Sequence, residues 1–378
     1  MPIAFVTGHV TPYNRRLFET FVDLTGDELH VYCCIDTEPH RNWVVGKPRN
    51  FNLEVLPGIR RHLSDISHIY LNPSIVTKLI RLKPDVVAMA AFSPTMLLAW
   101  GYSRARGIPY GLSTDGVPSI DPGERSRPHR WMRQLMVPNA AFGICASDES
   151  VDLLARWGLD RSRSTVVPLV PPWDPPAVIP GFDERPYDVL FAGTLNEDIK
   201  GALFFTDVVA RMAERRGDLR VRVTGNGPLR PEVEARLRRT GLDVVLDGAV
   251  QPYQIAASYL SAKLLLFPSR GDVWGLVANE AVQCGTPVLG SDHATSSRRY
   301  LQRFGVGEMR PLHVETWAET ALEMISGRER WQGFMARRQE ALDWANIDAA
   351  ARGMKRAFDL GRGRVAAEPQ TLVGAQPR

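Results

Sequence analysis

Short apolar runs alternate along this chain with stretches in which apolar residues return every three or four positions. Ile3–Val6, Leu29–Ile35, Pro84–Met89, Gly107–Ser113, Phe142–Ser147 and Val166–Val170 are apolar enough for strands buried on both faces. Between them, Leu17, Phe18, Phe21 and Val22 keep helical spacing, as do Ile75, Val76, Leu79 and Ile80 after Asn72-Pro73, the last four expected to face inward. Thr11 before Pro12 fits a helix N-cap followed by a residue that needs no amide. Further helices are predicted at Met96–Arg106 and Asp148–Trp157. Prolines then crowd residues 171–186, which excludes helix and central strand and stiffens the connection. A second alternating series follows directly. It has strands at Asp188–Gly193, Leu219–Thr224, Val244–Val250 and Leu264–Phe267, and a closing helix from Trp344 to Leu360.

This alternation predicts an α/β protein with two Rossmann-like domains. The boundaries are a domain at 1–172, a linker at 173–187, a second domain at 188–345, a helix at 346–362 and a disordered tail at 363–378. A length of 378 residues with 44% hydrophobic content agrees with two ordinary domains. The net charge of +4 is too small to indicate nucleic acid, and is compatible with acidic phosphorylated substrates or an anionic membrane face. Cys33, Cys34, Cys145 and Cys284 lie in or near apolar runs without a CxxC pair, so buried free thiols in a reducing compartment are expected and a zinc site is not. The start, MPIAFVTGHV, lacks a signal peptide's pattern, and no run approaches the length that spans a bilayer. The expected location is cytoplasmic, or peripheral on the inner face of a membrane.

The chemistry concentrates in Phe267–Ser291. This stretch reads as strand end, loop, helix from near Trp274 to Cys284, turn and strand, with Gly285 and Pro287 ending the helix. The amides of Gly275, Leu276 and Val277 open the helix and suit an anion such as a diphosphate. Asp272 and Glu280 bracket that turn, where an acid is unfavourable unless it binds hydroxyls, such as those of a sugar. The alternative is an ordinary βαβ unit with Asp272 as a capping acid and Glu280 solvated.

Pro268, Ser269, Asp272, Trp274, Gly275, Leu276, Glu280, Ala281, Gly285, Pro287 and Val288 together resemble the signature of retaining glycosyltransferases of family four, the glycosyl transferases group 1. The resemblance implies the GT-B fold: two Rossmann-like domains facing a central cleft, with a C-terminal helix crossing back to the first domain. It is strong over 188–292, fair over 107–170 and weak over 36–70. Asp272 stands where Glu is usual, one methylene shorter, which bears on the identity of the donor sugar. Lys200-Gly201 matches the family's Lys-Gly after Gly193, and Lys200 would neutralise a diphosphate. Thr194 replaces the family's Arg there, and Arg270 is available to compensate. Gly225-Asn226-Gly227-Pro228 matches the Gly-x-Gly-Pro turn. Asp115, at a strand end, takes the place of a group facing the anomeric centre, or else is a turn former before Gly116. In the resembled family the loop after the first strand faces the acceptor, so the resemblance implies that Gly8, His9 and Tyr13 line the acceptor side.

The resemblance implies retaining transfer from a nucleotide diphosphate sugar to a glycan or lipid-linked hydroxyl acceptor, with the nucleotide sugar as co-substrate and no cofactor. Asp272, Glu280, Lys200 and Asp115 are the expected catalytic group. Gly193, Thr194, Lys200, Gly225, Asn226, Arg270, Trp274, Gly275, Leu276, Val277 and Glu280 are the expected donor site. No Asp-x-Asp pair stands at a strand end, so cations and helix amides would replace a metal. The polar, irregular stretch 36–62, with Arg41, Lys47, Arg49, Arg60, Arg61 and His62, and the run Arg125 to Arg133 with Trp131 are candidates for acceptor or membrane contact, or are solvated surface. A sugar-nucleotide epimerase of the same fold and a non-catalytic sugar-nucleotide binder are the alternatives. A dehydrogenase lacks its glycine fingerprint.

Overall fold

A computed structural model describes residues 2–36, 45–64, 67–295 and 297–367. The chain forms two compact units, Met1–Leu169 with Ile347–Arg378, and Val170–Asn346. Arg41 and the expected tail beyond residue 367 lie outside the described residues.

The first unit runs β1 (Pro2–Thr7), α1 (Pro12–Thr25), β2 (Glu28–Cys33), β3 (Asn52–Val55), β4 (Ile59–Ser64), β5 (Ser67–Leu71), α2 (Ser74–Leu82), β6 (Val86–Ala90), α3 (Pro94–Arg106), β7 (Tyr110–Thr114), α4 (Pro122–Arg125), α5 (Arg127–Met136), β8 (Phe142–Cys145), α6 (Asp148–Arg156) and β9 (Ser164–Val166). Seven strands form a parallel sheet in the order β3-β2-β1-β6-β7-β8-β9. The central strands are almost wholly buried, which is why they read as unbroken apolar runs. Thr11 caps α1 as expected, its hydroxyl accepting from the Asn14 amide at 3.2 Å.

Four expectations in this unit need correction. Residues 36–62 are not irregular throughout: Asn52–Val55 extends the sheet edge, and Ile59–Ser64 forms an antiparallel hairpin with Ser67–Leu71. The last strand is only Ser164–Val166, because Pro168 has no amide for a ladder. Ile80 is exposed rather than inward, so the buried stripe of α2 is Ile75 and Leu79. Arg133 does not belong to a solvated basic face. It is buried, 2.5 Å from Asp121, whose other oxygen accepts from the Trp157 indole at 2.8 Å.

The second unit runs β10 (Tyr187–Ala192), α7 (Ala202–Arg215), β11 (Arg220–Thr224), α8 (Arg230–Arg239), β12 (Asp243–Gly248), α9 (Ala256–Leu260), β13 (Ala262–Phe267), α10 (Leu276–Gln283), β14 (Val288–Gly290), β15 (Gly307–Met309), α11 (Val314–Ser326) and α12 (Arg328–Trp344). Its parallel sheet has the order β12-β11-β10-β13-β14-β15. Phe191, Phe205, Val223, Leu266 and Trp317 pack in one core cluster. Tyr259, Leu265, Ala278 and Val282 pack in another. The proline-rich linker is stitched to this unit: the Gln283 amide donates to the Trp173 carbonyl at 2.6 Å, and Arg185 is buried.

A final helix, α13 (Ile347–Gly361), returns to the first unit. Phe358 sits 5.4 Å from both Phe21 and Phe142, ring centre to ring centre. Arg362 then donates to Asp27 at 2.8 Å and to Asp85 at 2.9 Å.

The turns at the strand ends of the second unit are tightly packed. Gly225 has φ +149°, and a Cβ there would lie 1.8 Å from the Gly193 carbonyl oxygen. Gly225→Ala is therefore expected to destabilise the protein by about 2–4 kcal/mol, through strain plus a clash with rigid backbone. Urea unfolding checks this, and a loss under about 0.5 kcal/mol would contradict such close packing.

Candidate active site

Strand β13 ends at Phe267, and Pro268 ends the ladder. The next residues bond to a loop some 70 positions earlier. The carbonyl of Ile199 accepts from the Arg270 amide at 2.8 Å and from the Ser269 hydroxyl at 2.8 Å. That hydroxyl also accepts from the Asp272 amide at 3.1 Å. Ser269 itself is fully buried, which strengthens the bonds its hydroxyl makes. The stitch holds the 196–200 loop against the entry to α10.

Lys200 and Asp272 meet there as an ion pair, each about one-fifth exposed. Its helix-side neighbour is Glu280, which is 7% exposed and accepts from the Tyr259 hydroxyl at 2.6 Å. Burial pushes the Glu280 carboxyl up to about 7, while the Tyr259 hydrogen bond and the Lys200 charge pull it down. Lys200 thus acts electrostatically on both acids, directly on Asp272 and through space on Glu280.

Helix α10 starts at Leu276, two residues later than expected, because Gly275 adopts the left-handed conformation (φ 77°, ψ 63°) as its cap. The amides of Leu276 and Val277 fall in the first turn, where an α-helix offers them no carbonyl. Trp274 is not on the surface. It is 3% exposed and stacks on Trp344 at 6.4 Å, so it packs the start of the helix.

Arg270 is engaged elsewhere: it meets the Glu197 carboxylate at 2.8 and 2.9 Å and lies over the Phe204 ring. The other Glu197 oxygen caps α7, accepting from the Leu203 amide at 2.7 Å. Gly193, Thr194, Gly225 and Asn226 cluster at the ends of β10 and β11: the Gly193 amide donates to the Thr224 carbonyl at 3.0 Å and the Leu195 amide to the Asn226 carbonyl at 3.0 Å. Thr194 and Asn226 are exposed. Asp115, Gly8, His9 and Tyr13 belong to the first unit, Asp115 exposed just after β7 and the others at the end of β1 and the start of α1. Tyr259, Glu197 and Arg185 escaped sequence reasoning. Tyr259 sits in the unremarkable segment Ser258-Tyr259-Leu260, and only the fold lays its hydroxyl against Glu280.

The four cysteines are free and buried, and burial pushes three of the thiols, Cys33, Cys145 and Cys284, up to about 12. Among the described residues no group of acids, histidines and cysteines is placed to hold a metal ion, and no helix is long and apolar enough to cross a membrane.

Two parallel α/β units, a loop–helix site at the strand ends of the second, and a last helix returned to the first define the GT-B architecture of glycosyltransferases. Within that class, residues 186–326 match the family model for glycosyl transferases group 1, and residues 10–169 match the glycosyl transferase 4-like domain. A D-inositol 3-phosphate glycosyltransferase of Pseudarthrobacter chlorophenolicus is 30% identical over 189 residues, which cover 45% of this chain and 44% of that protein. A sulfoquinovosyl transferase of Arabidopsis thaliana is 23% identical over 315 residues, covering 76% of this chain and 57% of that protein. The chain spans about half the length of these curated relatives. Among solved structures, a sucrose-phosphate synthase from Thermosynechococcus elongatus aligns with TM-score 0.74 and 16% identity, over 97% of this chain and 100% of that one. An Anabaena protein in complex with UDP and glucose aligns with TM-score 0.70 and 14% identity, over 94% and 99%.

The raised Glu280 carboxyl has a stability consequence. The folded state holds that proton more tightly than the unfolded chain does. Its contribution is therefore present below the ordinary carboxylate range and lost as pH rises through about 7. Glu280→Gln keeps the shape and the bond from Tyr259 but removes the buried charge. In the absence of ligand it is expected to stabilise the protein at pH 8 by up to roughly 3 kcal/mol, and to be nearly neutral at pH 5. Urea denaturation at the two pH values measures the difference, and a variant less stable than the parent at pH 8 would contradict the account.

Proposed function

We propose that the protein is a retaining, metal-independent glycosyltransferase, moving a sugar from a nucleotide diphosphate sugar to a hydroxyl of a glycan or lipid-linked acceptor. The observation that carries this reading is the Lys200–Asp272 ion pair beside the first turn of α10, with Glu280 held inside the same helix. An ion pair can be exchanged for a ligand that carries both complementary groups. The donor diphosphate takes Lys200 and the amides of Leu276 and Val277. The sugar hydroxyls take Asp272. Glu280 accepts from donor hydroxyls, most plainly those of the ribose. Gly193, Thr194, Gly225 and Asn226 lie at the strand ends that would border the donor.

In the front-face route, the bond from the anomeric carbon to the phosphate oxygen breaks and the acceptor oxygen bonds to the same face. The acceptor's proton passes to the departing diphosphate. Lys200 and the helix amides stabilise the charge that builds on the leaving group, and Asp272 supports the positive charge on the sugar ring. Cation and amides do what a divalent ion does in sites built on paired aspartates. Arg270 contributes only if the donor draws it from Glu197. Asp115, Gly8, His9 and Tyr13 are assigned to the acceptor. Cell-surface polysaccharide or glycolipid is the product class, in keeping with a relative named as a phosphatidylinositol dimannoside mannosyltransferase. Peripheral contact with the inner face of a membrane would use Arg125, Arg127 and the exposed Trp131 of the α4–α5 region.

A panel of radiolabelled nucleotide sugars tests this. Transfer or slow hydrolysis that persists within about twofold in EDTA supports the reading. Interconversion of sugars would mark an epimerase, and binding without turnover a non-catalytic protein. Lys200→Ala is expected to lower kcat by about 100-fold or more, since one leaving-group contact is worth that much. Asp272→Asn is expected to lower kcat while binding the free nucleoside diphosphate more tightly than the parent, because Lys200 is no longer held by a carboxylate. Weaker diphosphate binding by Asp272→Asn would show that the resting ion pair does not compete with the ligand.

A further inference from the structure

Resting on that reading of the site, we infer that Tyr259 is a positioning residue for Glu280: its hydroxyl occupies one carboxylate oxygen and turns the other toward the donor, and Arg185 pins the backbone that carries it. Tyr259 is completely buried, and its hydroxyl lies 2.6 Å from Glu280 Oε2. A carboxylate free to rotate inside α10 could present either edge. One with Oε2 taken presents Oε1 alone.

The tyrosine is itself held. Its carbonyl accepts from the Thr286 hydroxyl at 2.6 Å and from the Arg185 guanidinium at 3.2 Å. The same guanidinium donates to the carbonyls of Ala262 at 2.7 Å, Cys284 at 3.1 Å and Pro180 at 3.2 Å, and to the Thr286 hydroxyl at 2.8 Å. Arg185 is 1% exposed, and every one of these acceptors is neutral. A buried cation among neutral acceptors is a costly way to join segments that apolar side chains could join. Its donors converge on the end of α9, which carries Tyr259, and on the end of α10, which carries Glu280. One side chain from the linker therefore sets the distance between hydroxyl and carboxylate.

Glu280 is faced by Tyr259 from α9, by Lys200 from the loop before α7, and by Cys284 at the end of its own helix. Of these, Tyr259 alone donates a hydrogen bond to it among the described contacts. An ionised Glu280 accepts from a donor hydroxyl and from Tyr259 together, whereas protonation spends one oxygen on its own hydrogen.

The test measures the affinity of uridine, guanosine and adenosine diphosphates by calorimetry between pH 6 and 9, using the full chain, its Tyr259→Phe and Glu280→Gln variants, and the double variant. In the parent, affinity for the diphosphate that binds is expected to weaken as pH falls through about 7. In Tyr259→Phe the weakening should begin about one pH unit higher, which makes Kd about fivefold larger near pH 7, about tenfold larger at pH 6 and nearly unchanged at pH 9. In Glu280→Gln only the limb set by the ligand's own terminal phosphate, which titrates near about pH 6 in every variant, should remain, and adding Tyr259→Phe should not move it. A Tyr259→Phe limb at the parent's pH, or an affinity loss equal at every pH, would overturn the proposal by leaving the hydroxyl a packing role. Should Tyr259→Phe fail to fold, a Glu280→Gln limb at the same pH as the parent's overturns it instead. A parent protein that binds none of the three diphosphates overturns the donor-site reading itself.

Discussion

Two hydrogen bonds to the carbonyl of Ile199, one from the Arg270 amide and one from the buried Ser269 hydroxyl, hold the candidate site together. They join the loop that leaves β13 to the loop that enters α7. Everything chemical follows from that junction. It sets Lys200 against Asp272, and it leaves the first turn of α10 next to both. Ser269 also anchors the far side of the turn, since its carbonyl accepts from the Ser291 hydroxyl at the end of β14. Three strand ends are thereby tied through one small residue, and a side chain without a hydroxyl there would release the bond to Ile199 and the one from the Asp272 amide, while the backbone bond from Ser291 stays.

Two ion pairs in the molecule show how burial separates structure from function. Arg133 and Asp121 are nearly inaccessible, and the aspartate's remaining capacity is filled by the Trp157 indole and the Gly123 amide. That buried carboxylate has little left to offer a ligand. Lys200 and Asp272 are each partly open, and neither is locked by such a shell. Exchange with a charged ligand costs less where water already reaches the pair. Glu280 stands between these extremes: its buried carboxyl is lifted to about 7, and one tyrosine hydroxyl offsets part of that lift. A group poised in that way binds hydroxyls well while ionised, at the expense of the stability of the empty protein.

Much of this was readable in the chain itself. The alternation of apolar runs with helical periodicity requires two parallel α/β units, because strands buried on both faces have no other stable arrangement. Thr11, Pro12 and Gly275 act through local backbone preferences, and such preferences are visible in any sequence. The motif around α10 likewise lies in one continuous stretch, so the spacing of Asp272, Gly275 and Glu280 was fixed before folding.

What the fold alone decided is who partners whom across long sequence distances. Arg270 and Lys200 are both cations near a glycine, yet one is held by Glu197 and the other by Asp272. Trp274 adjoins the site in sequence but packs inward on Trp344, and Arg133 leaves a basic run to pair with Asp121. Tyr259 and Arg185 carry no local signal, because a hydroxyl or a guanidinium takes its meaning from the acceptor that packing brings to it. The primary structure settled the elements and the local chemistry of the anion turn. Tertiary contact settled which charges are compensated, since compensation depends on distance and burial, and neither is a property of a residue taken alone.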